Sequence, residues 1–148
     1  MTAIDLIKSM CKDTGFALEV GRWKRNHFNA YTKTIWLNTE TFYGRTSADL
    51  ACVAHECGHA LQHSPVWLGV VWISRVALIA CAALIYWFTG VAIGAAITIL
   101  VIGKLGVLFM EFDASRRAYK FLKSTGQVNM KVVRKVLTRA WLTYLNIR

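Results

Sequence analysis

Proline and repetitive sequence are nearly absent from this chain. Pro65 is the only proline among 148 residues, ten residues are glycine, and no tract or larger unit is repeated. These absences exclude collagen-like, mucin-like and solenoid-repeat proteins. Hydrophobic residues make up 55% of the chain and the mean hydropathy is +0.39, which excludes disorder and is high for an ordinary soluble domain. We therefore expect one small, folded and largely helical protein.

Acidic residues are also scarce, and the excess of positive charge is unevenly distributed. The chain has 18 lysines and arginines against 8 acidic residues, a formal net charge of +10. Residues 111–148 carry nine basic and two acidic residues, so +7 of this charge lies at the C-terminal end. Such a surplus is typical of proteins that bind nucleic acid or an anionic membrane surface. The hydropathy pattern favours anionic membrane lipid, and we expect no nucleic-acid partner.

The segment 66–110 almost lacks charge. Arg75 and Lys104 are its only charged residues, and the 28 residues between them contain no acidic or basic residue. One membrane-spanning helix needs roughly 20 residues, so this segment suits two arms, 67–88 and 91–110. We predict a transmembrane helical hairpin, shallow because Arg75 and Lys104 snorkel toward the same face.

The segments on either side of 66–110 predict short helices and a small sheet. Apolar residues at helical spacing predict helices at 3–14, 46–64, 111–126 and 130–145. Residues 16–20 and 34–38 alternate in the manner of strands, and the polar stretch 21–32 joins them. The predicted fold class is therefore mainly α with a small β hairpin or ribbon.

The predicted helix at 46–64 contains the sequence His55-Glu56-Cys57-Gly58-His59, an HExxH motif. Its two imidazoles lie four residues and about 6 Å apart along one helix face, where a single zinc ion can bind both. Glu56 lies beside the ion and can take a proton from a water whose pKa the metal has lowered, then pass it to the leaving amine. The motif predicts a zinc-dependent hydrolase with Glu56 as the catalytic acid/base.

A catalytic zinc site needs a third protein ligand and one open position. The HxxGxxH continuation is absent, because Gln62 and Pro65 stand at its glycine and histidine positions. Downstream of the motif, Glu111 and Asp113 are the only acidic residues. We predict Glu111 as the third ligand, and Asp113 either as the group that orients a histidine or as a substitute ligand.

Three alternatives compete with this ligand set. His63 lies on the same helix face but one turn further along, and Cys52 is better explained as a buried core residue. Glu111 and Asp113 can also be explained by favourable placement near a helix N-terminus.

Joint binding of one ion by His59 and Glu111 constrains the topology. The chain between them must cross a membrane an even number of times, which independently supports a hairpin. The positive-inside rule then predicts an integral membrane protein with the catalytic part in the cytoplasm. The four cysteines show no disulfide framework and no secretory signal precedes the first charged helix, so we expect reduced thiols at Cys11, Cys52, Cys57 and Cys81.

Two motifs carry a resemblance to a known family. The sequences HECGHALQ at 55–62 and EFDASRRA at 111–118 resemble the paired motifs of the neutral zinc metallopeptidases of the bacterial YugP type, which are gluzincin-like membrane proteins. The resemblance implies zinc ligands at His55, His59 and Glu111, with Glu56 as acid/base.

The resemblance also implies a bacterial-type cytoplasmic membrane as the location and a particular domain organisation. A gluzincin-like HExxH helix domain, formed by residues 1–65 and 111–148, would be interrupted by the transmembrane hairpin at 66–110. In the wider gluzincin ExxxD pattern an aspartate stands four residues after the glutamate, whereas this chain has Ser115 there and its acid at Asp113. The orienting role of that aspartate is therefore not transferred.

Candidate substrate-binding residues come mainly from the same resemblance. In gluzincin-like peptidases an edge strand above the metal binds the substrate backbone, which points to the strand 33–38 with Thr34 and Trp36. An oxyanion needs a donor beyond zinc, for which His27, Tyr31 and Tyr43 are candidates. A polar loop explains His27 and Tyr31 equally well, and core packing explains Tyr43.

The sequence leaves several roles open for the two arginines that follow Asp113. Arg116 and Arg117 could bind a substrate carboxylate, pair with Asp113, or face solvent or phospholipid.

The function that these observations predict is a membrane-anchored zinc metalloendopeptidase. It would hydrolyse peptide bonds of a peptide or protein substrate near the cytoplasmic membrane face, with Zn²⁺ as cofactor. Two alternatives remain: a non-proteolytic zinc-binding membrane adaptor, and a basic module that binds a lipid surface.

Overall fold

The computed structural model describes residues 1–12, 15–22, 25–62, 76, 80 and 91–143. The chain divides into two compact units, Met1–His63 with Glu111–Arg148, and Ser64–Met110. The predicted first arm at 67–88 lies outside the described residues, apart from 76 and 80, and so does His63. Within the described residues, no helix combines the length and the apolar character that crossing a lipid bilayer requires.

The first helix, α1, covers Ala3–Met10 and begins with a capping box. The Thr2 side chain accepts a hydrogen bond from the Asp5 backbone N–H, and the Asp5 carboxylate accepts one from the Thr2 N–H at 2.9 Å. The helix ends at Met10 with Cys11 as its C-cap, earlier than the predicted end at residue 14.

Three strands form one sheet with the order β1-β3-β2. They are β1 (Ala17–Gly21), β2 (His27–Asn29) and β3 (Thr34–Asn38). Strand β3 pairs in parallel with β1 and antiparallel with β2. The predicted strands at 16–20 and 34–38 are thus present but do not form a hairpin with each other. Because they run parallel, the chain must return between them, and it does so through β2.

Two predictions about this sheet are wrong. The stretch 21–32 was expected to be a polar connection, but it contains β2, whose three residues are too short to show a period of two. The strand 33–38 was expected at a sheet edge, but β3 lies in the middle and is hydrogen-bonded on both sides. A peptide therefore cannot add to β3 as a further strand.

Two capped helices follow the sheet. Helix α2 (Thr39–Tyr43) begins at Asn38, whose side chain accepts a hydrogen bond from the Thr41 N–H at 2.7 Å. Helix α3 (Ser47–Leu61) begins at Thr46, which forms a capping box with Asp49. The predicted HExxH helix is confirmed, although it ends three residues before the predicted end at residue 64.

A single 35-residue helix, α4, covers Val91–Thr125. The predicted helix from 111 is therefore its continuation, and the expected end at Gly126 is confirmed, with a φ of +64° that favours glycine. Glu111 and Asp113 lie far from the first turn of α4. Their explanation by a helix N-terminus is wrong, because unpaired backbone N–H groups occur only in that turn.

The last helix, α5 (Met130–Leu142), packs within the unit formed by Met1–His63 and Glu111–Arg148 through Val133 and Leu137, which are buried. Helix α3 lies at the centre of the core. Its buried residues meet α1, β3, α4 and α5 in one apolar cluster, which includes Leu6, Ile7, Ile35, Leu37, Leu50, Val53, Ala54, Cys57, Ala118 and Leu122. The HExxH motif is thus carried by the most enclosed helix of this unit.

Candidate metal centre

Helix α3 places His55 and His59 one turn apart on the same face. Their Nε2 atoms are 3.2 Å apart, and their rings meet edge to face with centroids at 4.7 Å. His55 is buried and His59 is half-buried. The i, i+4 spacing of the motif therefore brings two imidazole nitrogens to one point, as the sequence predicted.

Glu111 on α4 completes a trio with these histidines. Its Oε2 lies 3.2 Å from His55 Nε2 and 3.4 Å from His59 Nε2. A tetrahedral zinc ion with bonds of about 2.0 to 2.1 Å separates its ligand atoms by about 3.3 to 3.4 Å. The three side-chain atoms thus form a triangle of the size that zinc requires.

The chemistry of this trio also fits a metal ion. In the described part of the chain, one group of metal-ligating side chains is close enough together to hold a metal ion, namely His55, His59 and Glu111. Glu111 Oε2 is buried and makes ion-pair contacts with both histidines, but it has no hydrogen-bond partner among the described residues. This negative charge is buried between two imidazole nitrogens, and a cation bound by the trio would compensate the charge.

The Glu111 carboxylate and the imidazoles of the trio stabilise each other's charged forms. Burial raises the pKa of Glu111, but its contacts with His55 and His59 and their charges outweigh this and lower the pKa to about 2. Burial lowers the pKa of His59, yet the contact with Glu111 and the charges of Glu111 and Glu56 raise it above its usual value. The carboxylate therefore stays ionised at neutral pH, as a metal ligand must.

Glu56 is buried next to the trio but is not part of it. Burial raises the pKa of its carboxyl group, and the charge of Glu111 also raises it, while the charges of His55, His59 and His27 oppose the rise. A carboxylate with a raised pKa accepts a proton more readily than an exposed one. This environment suits the predicted acid/base role.

Each histidine contacts a neutral side chain through its second ring nitrogen. His55 Nδ1 lies 3.2 Å from Ser115 Oγ, and His59 Nδ1 lies 3.1 Å from Gln62 Oε1. The sequence interpretation missed both partners. Ser115 stands four residues after Glu111, at the aspartate position of the ExxxD pattern, and Gln62 follows His59 by three residues, so spacing could have identified both.

Asp113 does not contact a histidine or the trio. Its Oδ2 accepts hydrogen bonds from Gln62 Nε2 at 2.9 Å and from Arg117 Nε at 2.8 Å. Burial raises the pKa of Asp113, but these two donors outweigh it and lower the pKa. Gln62 lies between Asp113 and His59, and the orienting role of Asp113 stays a prediction. Of the roles open to Arg117, pairing with Asp113 is the one observed, while Arg116 is exposed.

Gly58 allows α3 and α4 to approach closely beside the trio. A Cβ at this position would lie 2.5 Å from the Ala114 carbonyl oxygen, which is closer than atoms can pack. Any larger residue would force the helices apart. The sequence interpretation did not single out this glycine, although a glycine inside a helix often marks such an approach.

The predicted substrate-binding residues occupy different environments. His27 is exposed on β2, its ring is stacked on Trp36 with centroids at 5.5 Å, and its charge acts on Glu56. Thr34 is buried, and its hydroxyl donates to the Thr32 carbonyl oxygen at 3.2 Å. Tyr31 and Tyr43 are 60% and 72% exposed, so the explanation of Tyr43 by core packing is wrong.

The cysteine predictions agree with the structure only in part, because Cys52 is half-buried and is not the buried core residue that was expected. Cys11, Cys52 and Cys57 form no disulfide among the described residues, and Cys81 lies outside them. Burial, with the charges of Glu56 and Asp49, raises the pKa of Cys52 to about 11. This thiol therefore stays protonated and is a poor zinc ligand, as expected.

Comparisons with known proteins agree with this site. The family model described as "Putative neutral zinc metallopeptidase" matches residues 1–147. The "Putative membrane protease YugP" of Bacillus subtilis (strain 168) is 28% identical over 136 residues, which cover 81% of this chain and 60% of that protein. The chain thus spans less than two thirds of the length of this relative. No solved structure matches the chain.

Zinc is the metal of this family, and His55, His59 and Glu111 can form its site. The description of the family names a metallopeptidase, a class of enzyme that hydrolyses peptide bonds. Because the family model covers almost the whole sequence, this chain belongs to the neutral zinc metallopeptidase family.

Proposed function

We propose that this chain is a membrane-anchored zinc endopeptidase with His55, His59 and Glu111 as zinc ligands and Glu56 as general base. The triangle of 3.2, 3.2 and 3.4 Å between the three ligand atoms carries the proposal. Its third vertex comes from a residue 52 positions beyond His59, so the arrangement is a product of the fold and not of local spacing alone.

The chemistry divides between the metal and Glu56. Bound by the trio, zinc would polarise the scissile carbonyl and lower the pKa of the attacking water. The Glu56 carboxylate takes the proton of that water, holds it on a carboxylate oxygen, and releases it to the leaving amide nitrogen. The raised pKa of Glu56 favours the first of these transfers.

The edge of the sheet offers a place for the substrate. Strand β2, which carries His27, lies at one edge of the sheet and packs next to α3. We assign substrate contact to His27, with Trp36 supporting its ring. An extended peptide would pair with β2, and not with the interior strand β3.

The membrane part of the proposal concerns residues 66–110. We assign residues 1–65 and 111–148 to the catalytic domain and 66–110 to a membrane hairpin, with the catalytic domain on the cytoplasmic face. Sequence hydropathy supports the membrane hairpin, as does the name of the B. subtilis relative, a membrane protease. On α4, apolar side chains at four-residue spacing are more than half exposed, namely Ile97, Val101, Leu105 and Phe109. Such a stripe is suited to lipid.

The test uses the full chain, recovered from the membrane fraction in detergent. We expect one zinc per chain and hydrolysis of an unfolded protein substrate such as casein. Glu56→Gln should keep the zinc and lose about 10²- to 10⁴-fold in rate. His55→Ala should lose the zinc.

Three outcomes would contradict parts of the proposal. Full activity of Glu56→Gln would remove the assigned base. Stoichiometric zinc without hydrolysis would favour the non-proteolytic adaptor. Recovery of the chain in the soluble fraction without detergent would remove the membrane anchor.

A further inference from the structure

Gln62 and Asp113 form a continuous series of hydrogen bonds from Arg117 to His59, outside the trio of candidate ligands. The contacts run from Arg117 Nε to Asp113 Oδ2 at 2.8 Å, from Gln62 Nε2 to the same oxygen at 2.9 Å, and from Gln62 Oε1 to His59 Nδ1 at 3.1 Å. Gln62 is only 3% exposed, so water competes little for these contacts.

The direction of each hydrogen bond in this series follows from chemistry. The Arg117 guanidinium can only donate, and the Asp113 oxygen that it contacts accepts. Gln62 must turn its NH₂ group, which donates, toward that oxygen, because its carbonyl oxygen has no hydrogen to donate. The amide oxygen of Gln62 must then point at His59, and an oxygen can only accept from Nδ1–H. This series of hydrogen bonds therefore places the ring hydrogen of neutral His59 on Nδ1.

This placement leaves the lone pair of His59 on Nε2, the atom that faces His55 and Glu111. We infer that Gln62, held by Asp113 and Arg117, is a positioning residue that sets the tautomer and ring orientation of His59 for metal binding. Groups that fix the second nitrogen of a ligating histidine typically change metal affinity 10- to 100-fold. The inference rests on the proposed function insofar as His59 is a zinc ligand.

His55 provides an internal contrast. Its Nδ1 contacts the hydroxyl of Ser115, which can either donate or accept. Ser115 therefore tolerates both tautomers of His55, whereas Gln62 permits only one tautomer of His59. The two histidines share one helix face, but only His59 contacts a series of hydrogen bonds in which each donor and acceptor is fixed.

The experiment measures zinc affinity of the full chain in detergent by competition with a chromophoric chelator, together with the visible spectrum of the Co²⁺-loaded protein. Gln62→Leu removes the acceptor and should weaken zinc binding 10- to 100-fold and change the Co²⁺ spectrum. Asp113→Leu should weaken binding about tenfold, because the Gln62 amide is then free to turn over. Asp113→Asn should bind almost as tightly as the wild type, since one amide oxygen can accept both hydrogen bonds.

Arg117 and Arg116 supply a matched pair. Both carry one positive charge near Asp113, but only Arg117 donates a hydrogen bond to it. Arg117→Leu should weaken zinc binding, and Arg116→Leu should leave it unchanged.

Wild-type affinity and an unchanged Co²⁺ spectrum in Gln62→Leu would overturn the inference. Equal losses in Asp113→Asn and Asp113→Leu would also overturn it, because charge and not polarity would then matter. His59→Ala separates this failure from failure of the proposed function. If His59→Ala keeps its zinc, the ligand set is wrong; if it loses zinc while Gln62→Leu does not, only the positioning role is wrong.

Discussion

Helices α3 and α4 both supply the metal centre, but they do so in different ways. On α3, His55, Glu56 and His59 lie within five consecutive residues, so helical spacing alone brings them together. On α4, Glu111 reaches the histidines only because α4 packs against α3 where Gly58 faces Ala114. The α3 half of the centre is therefore local, whereas the α4 half depends on a tertiary contact.

Gly58→Ala should have the largest effect, because it disrupts the tertiary contact on which the α4 half of the centre depends. The new Cβ would overlap the Ala114 carbonyl oxygen, and separation of the helices would move Glu111 away from His55 and His59. We expect zinc affinity to fall about 100-fold, comparable to the largest effects of residues that support a metal site. Overpacking should also lower the free energy of unfolding by about 1 to 3 kcal/mol. Chelator competition and chemical denaturation measure the two effects.

Gly94→Ala is the matched control for this substitution. Gly94 also lies in a helix, α4, but nothing is within 4 Å of the position its Cβ would take. Alanine there should leave zinc affinity unchanged and can stabilise the helix by up to about 1 kcal/mol. Wild-type zinc affinity in Gly58→Ala would show that the close approach of α3 and α4 does not position Glu111.

The pH dependence of the metal-free protein should show a smaller effect of the same tertiary contact. The pKa of Glu111 is lowered from 4.5 to about 2, so its contribution to stability is present above pH 4.5 and is lost as the pH falls toward 2. The pKa of His59 is raised above 6.5, so its contribution is present below pH 6.5 and is lost as the pH rises through the folded-state pKa. Both contributions are complete only between pH 4.5 and 6.5.

Glu111→Gln removes the charge on which both shifts depend. The difference in free energy of unfolding between the wild type and this variant should be greatest near pH 5.5 and should shrink in acid and in alkali. Denaturation of the metal-free proteins at pH 3, 5.5 and 9 measures it. A difference that is constant across this range would refute the coupling between Glu111 and the histidines.

The smallest effect should come from the local, α3 side. Thr46→Ala removes the side chain that accepts the Asp49 N–H hydrogen bond at the start of α3. Loss of an N-cap costs about 1 kcal/mol of stability. Zinc affinity should not change, because the HExxH turn lies nine residues further along and is held by packing. Thr46→Ser, which keeps the acceptor, serves as the control, and a loss of zinc in Thr46→Ala would show that the α3 half is not local.

Short elements and their pairing were the hardest features to predict. The HExxH helix follows from residue type and spacing, and it was predicted correctly. Strand β2 has only three residues, which is too few for a periodic pattern, so it was missed. The parallel pairing of β1 with β3 was missed for a related reason: alternation identifies a strand but not its partner or direction.

The composition and the two motifs were enough to determine the helical class, the zinc chemistry and the identity of the three metal-ligating candidates. They were enough because ligand chemistry depends on residue type, and spacing along one helix is fixed by its 3.6-residue turn. Only the folded structure decided that Gly58 lets Glu111 come within reach, that Ser115 meets His55, and that Gln62 stands between Asp113 and His59. Apart from the local contact of Gln62 with His59, these contacts join residues some 50 to 60 positions apart, and they depend on how α3 and α4 pack.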